Sequence, residues 1–293
     1  MSAALRHRAW TPAAFMAPAL VVLGVFVLAA LVQVVYASFT RSSAFGPAEW
    51  IGTANYRRLL ASERFWICLA NSGIYLLVTP VLIALSMGAA LVVESGVRAL
   101  RALRMVFFLP VVTPTIVAAV AWNAALREDG GVVNAALGLV GVGPVEWLTR
   151  YPWTLVSAML VTLWKGFGFY MLIFAAGLLA VPKELKEAAA LDGAGRWGVM
   201  RHVVLPAMRP TVALVFIVSS ISALKVFEEL YVTVKGAPIE HQTAVPLLFY
   251  EGFEARGDFG YASALGVTLF VIILALSLVN LRLSTRRGGG EPA

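Results

Sequence analysis

Four runs of this chain carry no charge: residues 9–40, 65–93, 105–126 and 259–281. Each exceeds the ~20 residues an α-helix needs to cross about 30 Å of hydrocarbon. Two more stretches are apolar around a single lysine, 153–180 around Lys165 and 208–227 around Lys225. In lipid, backbone N–H and C=O groups find no water, so a spanning segment must be a helix or part of a closed barrel. Barrel strands alternate apolar and polar residues, and these runs do not. The pattern predicts an all-α polytopic membrane protein with six transmembrane helices, at about 12–38, 67–93, 104–126, 153–180, 208–227 and 260–282. The first run has a basic flank, Arg6 and Arg8, and Val35-Tyr36-Ala37 weakly resembles a signal-cleavage site. Its apolar region is far longer than the ~7–15 residues of a signal peptide. An uncleaved first helix is expected, with a cleaved signal as the alternative.

Composition agrees. Of 293 residues, 60% are apolar and only 13% charged, against about 25% charged in soluble domains. Such a chain cannot cover its surface with polar groups in water. A soluble enzyme, a disordered chain and a nucleic-acid binder are excluded, despite the net charge of +7. A single cysteine, Cys68, excludes a disulfide framework and a thiolate metal site. His7, His202 and His241 lack the spacing of metal ligands. Basic residues set orientation. With the N-terminus in the cytoplasm, segments 1–11, 94–104, 181–209 and the end from Arg282 hold 13 Lys and Arg, against 8 in 39–66, 127–152 and 228–259. Acids run the other way, 5 against 11. Both ends, the N-terminal segment 1–11 and a flexible tail 284–293, are therefore expected in the cytoplasm, flanking a membrane domain over 12–283.

Three connections are long. Segment 39–66 carries Trp50, Asn55, Tyr56, Phe65 and Trp66 among charges and reads as an amphipathic interfacial segment. Segment 127–152 is rich in glycine, with a short helix expected near 131–139. It is either an ordinary loop with interfacial anchors or a partner surface. Segment 181–209, VPKELKEAAALDGAGRWGVMRHVVLPAMR, says most. Pro182 suits a first helical turn, Glu184 and Glu187 favour the helix dipole, and Ala188, Ala189 and Ala190 are strong helix formers. Asp192-Gly193 stops that helix, because glycine enters the left-handed region cheaply. A second helix at about 195–203 follows, and Pro206 and Pro210 then constrain the chain. The result is a helix–turn–helix with a small-residue face that either meets another backbone or lies on lipid headgroups.

Lys165 lies deep in the fourth run, where a charge marks a cavity or a pairing, though lysine can also snorkel. Lys225 lies near a span end, with Glu228 and Glu229 as plausible partners.

Glu187-Ala188-Ala189, Gly193 and Leu205-Pro206 match the spacing of the EAA loop of ABC importer permeases. Trp164-Lys165-Gly166-Phe167-Gly168, then Ala176-Gly177-Leu178 and Val181-Pro182, is similar to the fourth span of the sugar-type members. Asn55-Tyr56, Phe65-Trp66, Asn71-Ser72 and the stretch from Arg104 to Pro114 extend the likeness. The chain resembles the MalF/UgpA-like permeases of binding-protein-dependent sugar importers over about residues 10–283. It departs from the maltose prototype in lacking extra N-terminal spans and a large outside domain, so the minimal six-helix form is expected.

The resemblance implies a type I importer (MetI-like) permease fold in a bacterial or archaeal cell membrane. It implies a non-catalytic subunit forming the path for a sugar, with an oligosaccharide as the first expectation. Glycerol-3-phosphate or another polar solute is the alternative, and an ion-coupled secondary transporter a more distant one. Implied partners are a second homologous permease, two ABC ATPases and an extracytoplasmic solute-binding protein, besides membrane lipid. The chain has no GxxxxGK[ST] phosphate loop, so no cofactor is expected on it, and ATP and Mg would sit on the ATPase. The coupling residues implied are Glu187, Ala188, Ala189, Asp192, Gly193, Leu205 and Pro206. Glu187 would meet basic groups, the alanines would allow close approach, and Asp192 would cap the second helix or stand exposed. Gly193→Asp is expected to abolish transport while leaving the protein in the membrane. A sugar path needs hydrogen-bonding groups beside flat apolar faces, for which Trp122, Asn123, Lys165, Phe167, Phe169, Tyr170, Ser219, Ser222 and Tyr231 are candidates. For each residue taken alone, core packing or interfacial anchoring is the favoured alternative.

Overall fold

The computed structural model describes residues 10–43, 47–94, 98–255 and 257–288. Residues 1–9 and 289–293, and with them most of the expected N-terminal segment and the end of the tail, lie outside this set. The apolar runs become helices. The first is α1 (Trp10–Leu23), a π-turn (Gly24–Leu28) and α2 (Ala29–Ala37). After it come two-residue strands β1 (Thr40–Arg41) and β2 (Glu49–Trp50), paired antiparallel, and α3 (Ala54–Leu60). The second run is α4 (Glu63–Tyr75) and α5 (Val78–Val93); the third is α6 (Arg98–Val112) and α7 (Thr115–Ala125). Then α8 (Val132–Leu139) appears in the glycine-rich loop where a short helix was expected, followed by α9 (Trp153–Leu179). Next are α10 (Lys183–Leu191), α11 (Arg196–Val199), a π-turn (Met200–Val204), α12 (Leu205–Ala207) and α13 (Arg209–Leu224). The chain ends with α14 (Glu228–Thr233), a 3-10 turn (Ile239–His241), α15 (Ala244–Phe249), a π-turn (Tyr250–Ala255) and α16 (Phe259–Gly288).

Among the described residues, four helical segments are long and apolar enough to cross a membrane: Phe15–Ala37, Glu63–Val93, Trp153–Leu179 and Phe259–Asn280. Two bent pairs raise the number to six if each pair is one span. The third run, expected as one helix over 104–126, is instead broken by 103° between Val112 and Thr115. The reason is proline. Pro110 removes one helical N–H inside α6, and Pro114 adopts φ −55°, ψ 135° and disfavours helix in Thr113 before it. The fifth run is shorter than expected, 209–224, and bends by 57° from the helical segment that precedes it.

Two compact units divide the chain. The first contains the chain up to Ser62 and Leu248–Phe270. Here segment 39–66 is not simply amphipathic, because Asn55 is buried and its Nδ2 donates to the carbonyls of Ser38 and Thr40, both at 2.9 Å. Arg58 pairs with Asp258 at 2.6 Å and lies 4.0 Å over the Tyr261 ring.

The second unit, Glu63–Leu247 with the chain from Val271, holds the loop 181–209 and the pathway candidates. Its axis is α9, which at 27 residues is about 40 Å long. Leu82, Ala90 and Val93 of α5 pack with Met171, Phe174, Ala175 and Leu178 of α9, and Val204, Met208 and Val215 complete the cluster. A second cluster joins Tyr75 and Val78 to Leu155, Ala158, Ala223 and Leu230. Gly168 sets the approach of α6 to α9, since a Cβ there would lie 1.9 Å from the Phe107 carbonyl oxygen. Segment 239–244 is clamped to α4: Asn71 Nδ2 donates to the carbonyls of Glu240 (2.8 Å) and Gln242 (2.9 Å), and Ser72 Oγ accepts from the Ala244 N–H at 3.0 Å.

Candidate functional site

The loop 181–209 folds as a helix–turn–helix. Pro182, extended at φ −54°, ψ 135°, precedes α10, and Glu184 lies in its first turn. The helix ends in a Schellman motif. The Ala194 N–H bonds the Ala189 carbonyl at 2.9 Å and the Gly193 N–H bonds that of Ala190 at 3.1 Å, with Gly193 left-handed at φ +84°. Glycine holds this conformation without the Cβ strain other residues meet there. The second arm does not stop near 203 as expected; it runs helically from Arg196 to Ala207. Pro206 has no N–H to offer, and the π-turn Met200–Val204 just before it reorganises the bonding, with the Leu205 N–H reaching back to Met200.

The two arms differ in burial. Glu187, Ala188, Asp192 and Gly193 are exposed and Ala189 half-buried. Among the described residues Glu187 has no ion-pair partner. Leu185, Leu191 and Trp197 are exposed too, Leu191 to 88% and Trp197 to 74%. The second arm carries Leu205 and Pro206 half-buried and ends in Val204 and Met208, which sit in the α5–α9 core. The loop thus presents an apolar, acid-bearing tip on an anchored base.

The pathway candidates fall into two groups. Around the middle of α9, Trp122 meets Trp164 edge to face at 6.2 Å and Phe167 meets Phe107 at 5.1 Å. Asn123 Nδ2 donates to the Thr233 carbonyl at 2.6 Å, tying α7 to α14, where Tyr231 stacks on Phe227 at 5.1 Å. Lys165 Nζ donates to the Thr113 carbonyl at 3.1 Å. That carbonyl was freed by the break before α7, and an unpaired carbonyl in hydrocarbon costs several kcal/mol. Glu229 lies within reach of the same lysine's charge. Burial pushes the Glu229 carboxyl above the ordinary carboxylate range, with Glu228 adding to the rise and Lys165 opposing it. Among the described residues Lys225 forms no ion pair with Glu228 or Glu229, the partners the sequence offered for it. The second group is mixed: Tyr170 and Ser219 are buried, Phe169 and Ser222 exposed. The Tyr170 ring meets the Phe169 ring edge to face at 5.2 Å. Ser219 Oγ bonds its own helix at the Val215 carbonyl, 2.6 Å away.

Sequence reasoning did not single out Thr113, Thr233 or Asn71 for these roles. The Pro110-x3-Pro114 spacing was the available signal for the first. Backbone acceptors leave no signature in the others.

Residues 80–288 match the family described as binding-protein-dependent transport system inner membrane component. The chain belongs to that family. As such an inner membrane component it is a multi-pass membrane protein and the permease part of a transport system. Across 272 residues it is 30% identical to the trehalose/maltose transport system permease protein MalF of Thermococcus litoralis, covering 92% of each chain. It is 36% identical over 262 residues to the arabinooligosaccharides transport system permease protein AraP of Halalkalibacterium halodurans, covering 86% of this chain and 81% of that one. Its fold is that of a chain in the crystal structure of a bacterial ABC transporter for the acidic polysaccharide alginate, with TM-score 0.81, 23% identity and coverage of 94% and 96%. The family match takes in the exposed helix α10, the glycine turn and the broken pair α6–α7.

Proposed function

We propose that this inner membrane component forms, with a second homologous permease, the path by which an ATP-driven importer takes up a sugar, preferentially an oligosaccharide. The observation that carries the reading is the exposed, acid-bearing tip at Glu187–Gly193 on a base buried in the α5–α9 core. The sugar preference rests on relatives named for trehalose and maltose, α-glucosides and arabinooligosaccharides.

In this reading the six apolar runs are six spans, the bent pairs counting as one each, with both termini in the cytoplasm as the basic residues dictate. Two ATPase subunits carrying ATP and Mg take the α10 tips of the two permeases. Ala188 and Ala189 let the backbones approach, and Glu187 meets basic groups on the ATPase. An extracytoplasmic binding protein delivers the solute on the other side. The solute passes near the middle of α9, beside Trp122, Lys165, Phe167, Phe169 and Tyr231.

The test is reconstitution of the complete transporter in liposomes with the binding protein inside or outside. Labelled oligosaccharide should accumulate only with ATP on the ATPase side, and an ionophore should leave uptake unchanged. Uptake that follows an ion gradient without ATP overturns the reading. Uptake of glycerol-3-phosphate in place of sugars changes the solute and keeps the machinery.

A further inference from the structure

The third apolar run is fastened in two halves, both of which touch α9 but only one of which is also tied to α14. α6 lies on α9 through the close approach at Gly168 and the Phe107–Phe167 ring contact. α7 is tied to α14 by Asn123 and the Thr233 carbonyl. Between the arms the chain turns through 103°. The carbonyl at that corner, Thr113, lies ahead of the first helical bond of α7, which the Ala118 N–H makes to Pro114. Its hydrogen bond comes from Lys165 of α9.

We propose that the break at Thr113–Pro114 is a joint that changes angle during the transport cycle, and that Lys165 is the positioning residue that holds it at the angle seen here. This rests on the proposed importer reading. α7 is held by α14 as well as by α9, so a shift of α14 against α9 moves α7 relative to α6, and the corner between them absorbs the change. Pro110 and Pro114 leave that corner without a continuous helical ladder to resist bending. A lysine suits such a corner because its stem has four carbons and its amino group three donors, so the bond can break and reform as the angle changes. Lys165 therefore acts through the backbone of α6–α7, a role distinct from touching the solute.

The experiment uses the complete transporter in liposomes, in a Cys68→Ser background, with spin labels on Val106→Cys and Val120→Cys, two exposed positions on either side of the break. The label distance should shift between the nucleotide-free and the ATP-trapped states. Lys165→Met should erase that shift and raise ATP hydrolysis without binding protein by about fivefold, while Lys165→Arg should restore both. A label distance that stays fixed through the cycle in the Lys165 protein overturns the proposal, and it decides alone should Lys165→Met fail to reach the membrane. So does a Lys165→Met variant that only raises the solute level for half-maximal uptake, with basal hydrolysis and label distance unchanged. Failure of the importer reading looks different: no ATP-dependent uptake even with Lys165 in place.

Discussion

Replacing Gly193 separates backbone geometry from side-chain chemistry at the tip of the coupling loop. Its φ of +84° lies in the left-handed region, and no heavy atom lies within 4 Å of where a Cβ would stand. A side chain therefore meets no clash, and the whole cost is conformational. For an ordinary residue that cost is roughly 1–2 kcal/mol, and it is larger for a β-branched one. The Schellman bonds from Ala194 and Gly193 exist only while the turn holds, so the strain shifts the loop toward forms lacking them. A penalty of one or two kcal/mol reduces the competent form by about 5–30-fold. Affinity for the ATPase falls by the same factor if docking needs that form. Asn and Asp tolerate the left-handed region better than most residues. The expected order of uptake is thus Gly193 above Gly193→Asn above Gly193→Val, all with equal amounts of protein in the membrane. Gly193→Asp meets the same left-handed turn, so on backbone grounds its loss should match that of Gly193→Asn, short of the abolition expected from the sequence. Uptake of labelled sugar, co-purification of the ATPase and membrane abundance read these effects out. Normal uptake and normal ATPase retention by Gly193→Val would refute the reasoning, and equal losses for Asn and Val would show that volume matters rather than φ.

Three further perturbations follow from contacts in the second unit. Gly168→Ala places a methyl group against the Phe107 backbone and should destabilise the purified protein by about 1–3 kcal/mol, read as a lower melting temperature; Gly88→Ala, with nothing within 4 Å, should leave it unchanged. Asn71→Leu strips the carbonyls of Glu240 and Gln242 of a donor, at about 1–3 kcal/mol for each group left unsatisfied, and hydrogen exchange over 239–244 should accelerate. Partial burial alone would raise the Glu240 carboxyl, but a backbone hydrogen bond and Arg64, 2.7 Å away, outweigh it and hold it below its ordinary 4.5. A lowered acid stabilises above its unfolded value, and that stability is lost as pH falls through the lowered one. Melting temperatures of the parent and Glu240→Gln should therefore differ at pH 7 and converge in acid, by a screened pair's ~1 kcal/mol or less.

The parts of this protein legible in its sequence are those where one residue type has one physical reason to be there. α9 was readable because its 27 residues are apolar apart from Lys165 and a few hydroxyls, and the end of α10 because glycine after an alanine run is the usual way to close a helix. The third run was misread as one span because apolar length outweighed the two prolines that interrupt it. The strands β1 and β2, two residues each, are too short to show a period. Asn55 and Asn71 looked like motif letters. Their work is to hold backbone carbonyls far along the chain, and a carbonyl is present at every residue, so the partner cannot be picked out beforehand. The same holds for Lys165: the sequence marks an unusual charge, but only the fold places the Thr113 carbonyl beneath it.

A coupling element transmits force only when one end is free to be gripped and the other is fixed to what must move. In the proposed coupling loop both conditions would come from ordinary side chains. Leu185, Leu191 and Trp197 stand exposed around Glu187, an arrangement with a cost in water that a docked partner removes. At the other end Met208 is fully buried among residues of α5, α9 and α13, and the 57° bend beyond it turns directly into α13. Close-packed interiors deform little, so a displacement of α10 passes to the core rather than dissipating in it. Gly177 tightens that joint, for a Cβ there would lie 2.6 Å from Thr211 Oγ1 and 3.1 Å from Met208 Cε. Within the proposed cycle, Gly177→Ala should therefore spare ATPase binding and weaken the coupling of hydrolysis to uptake, whereas changes at Gly193 act first on binding. The ratio of solute transported to ATP hydrolysed distinguishes the two ends of the lever, and a Gly177→Ala variant with a normal ratio would show that force takes another route.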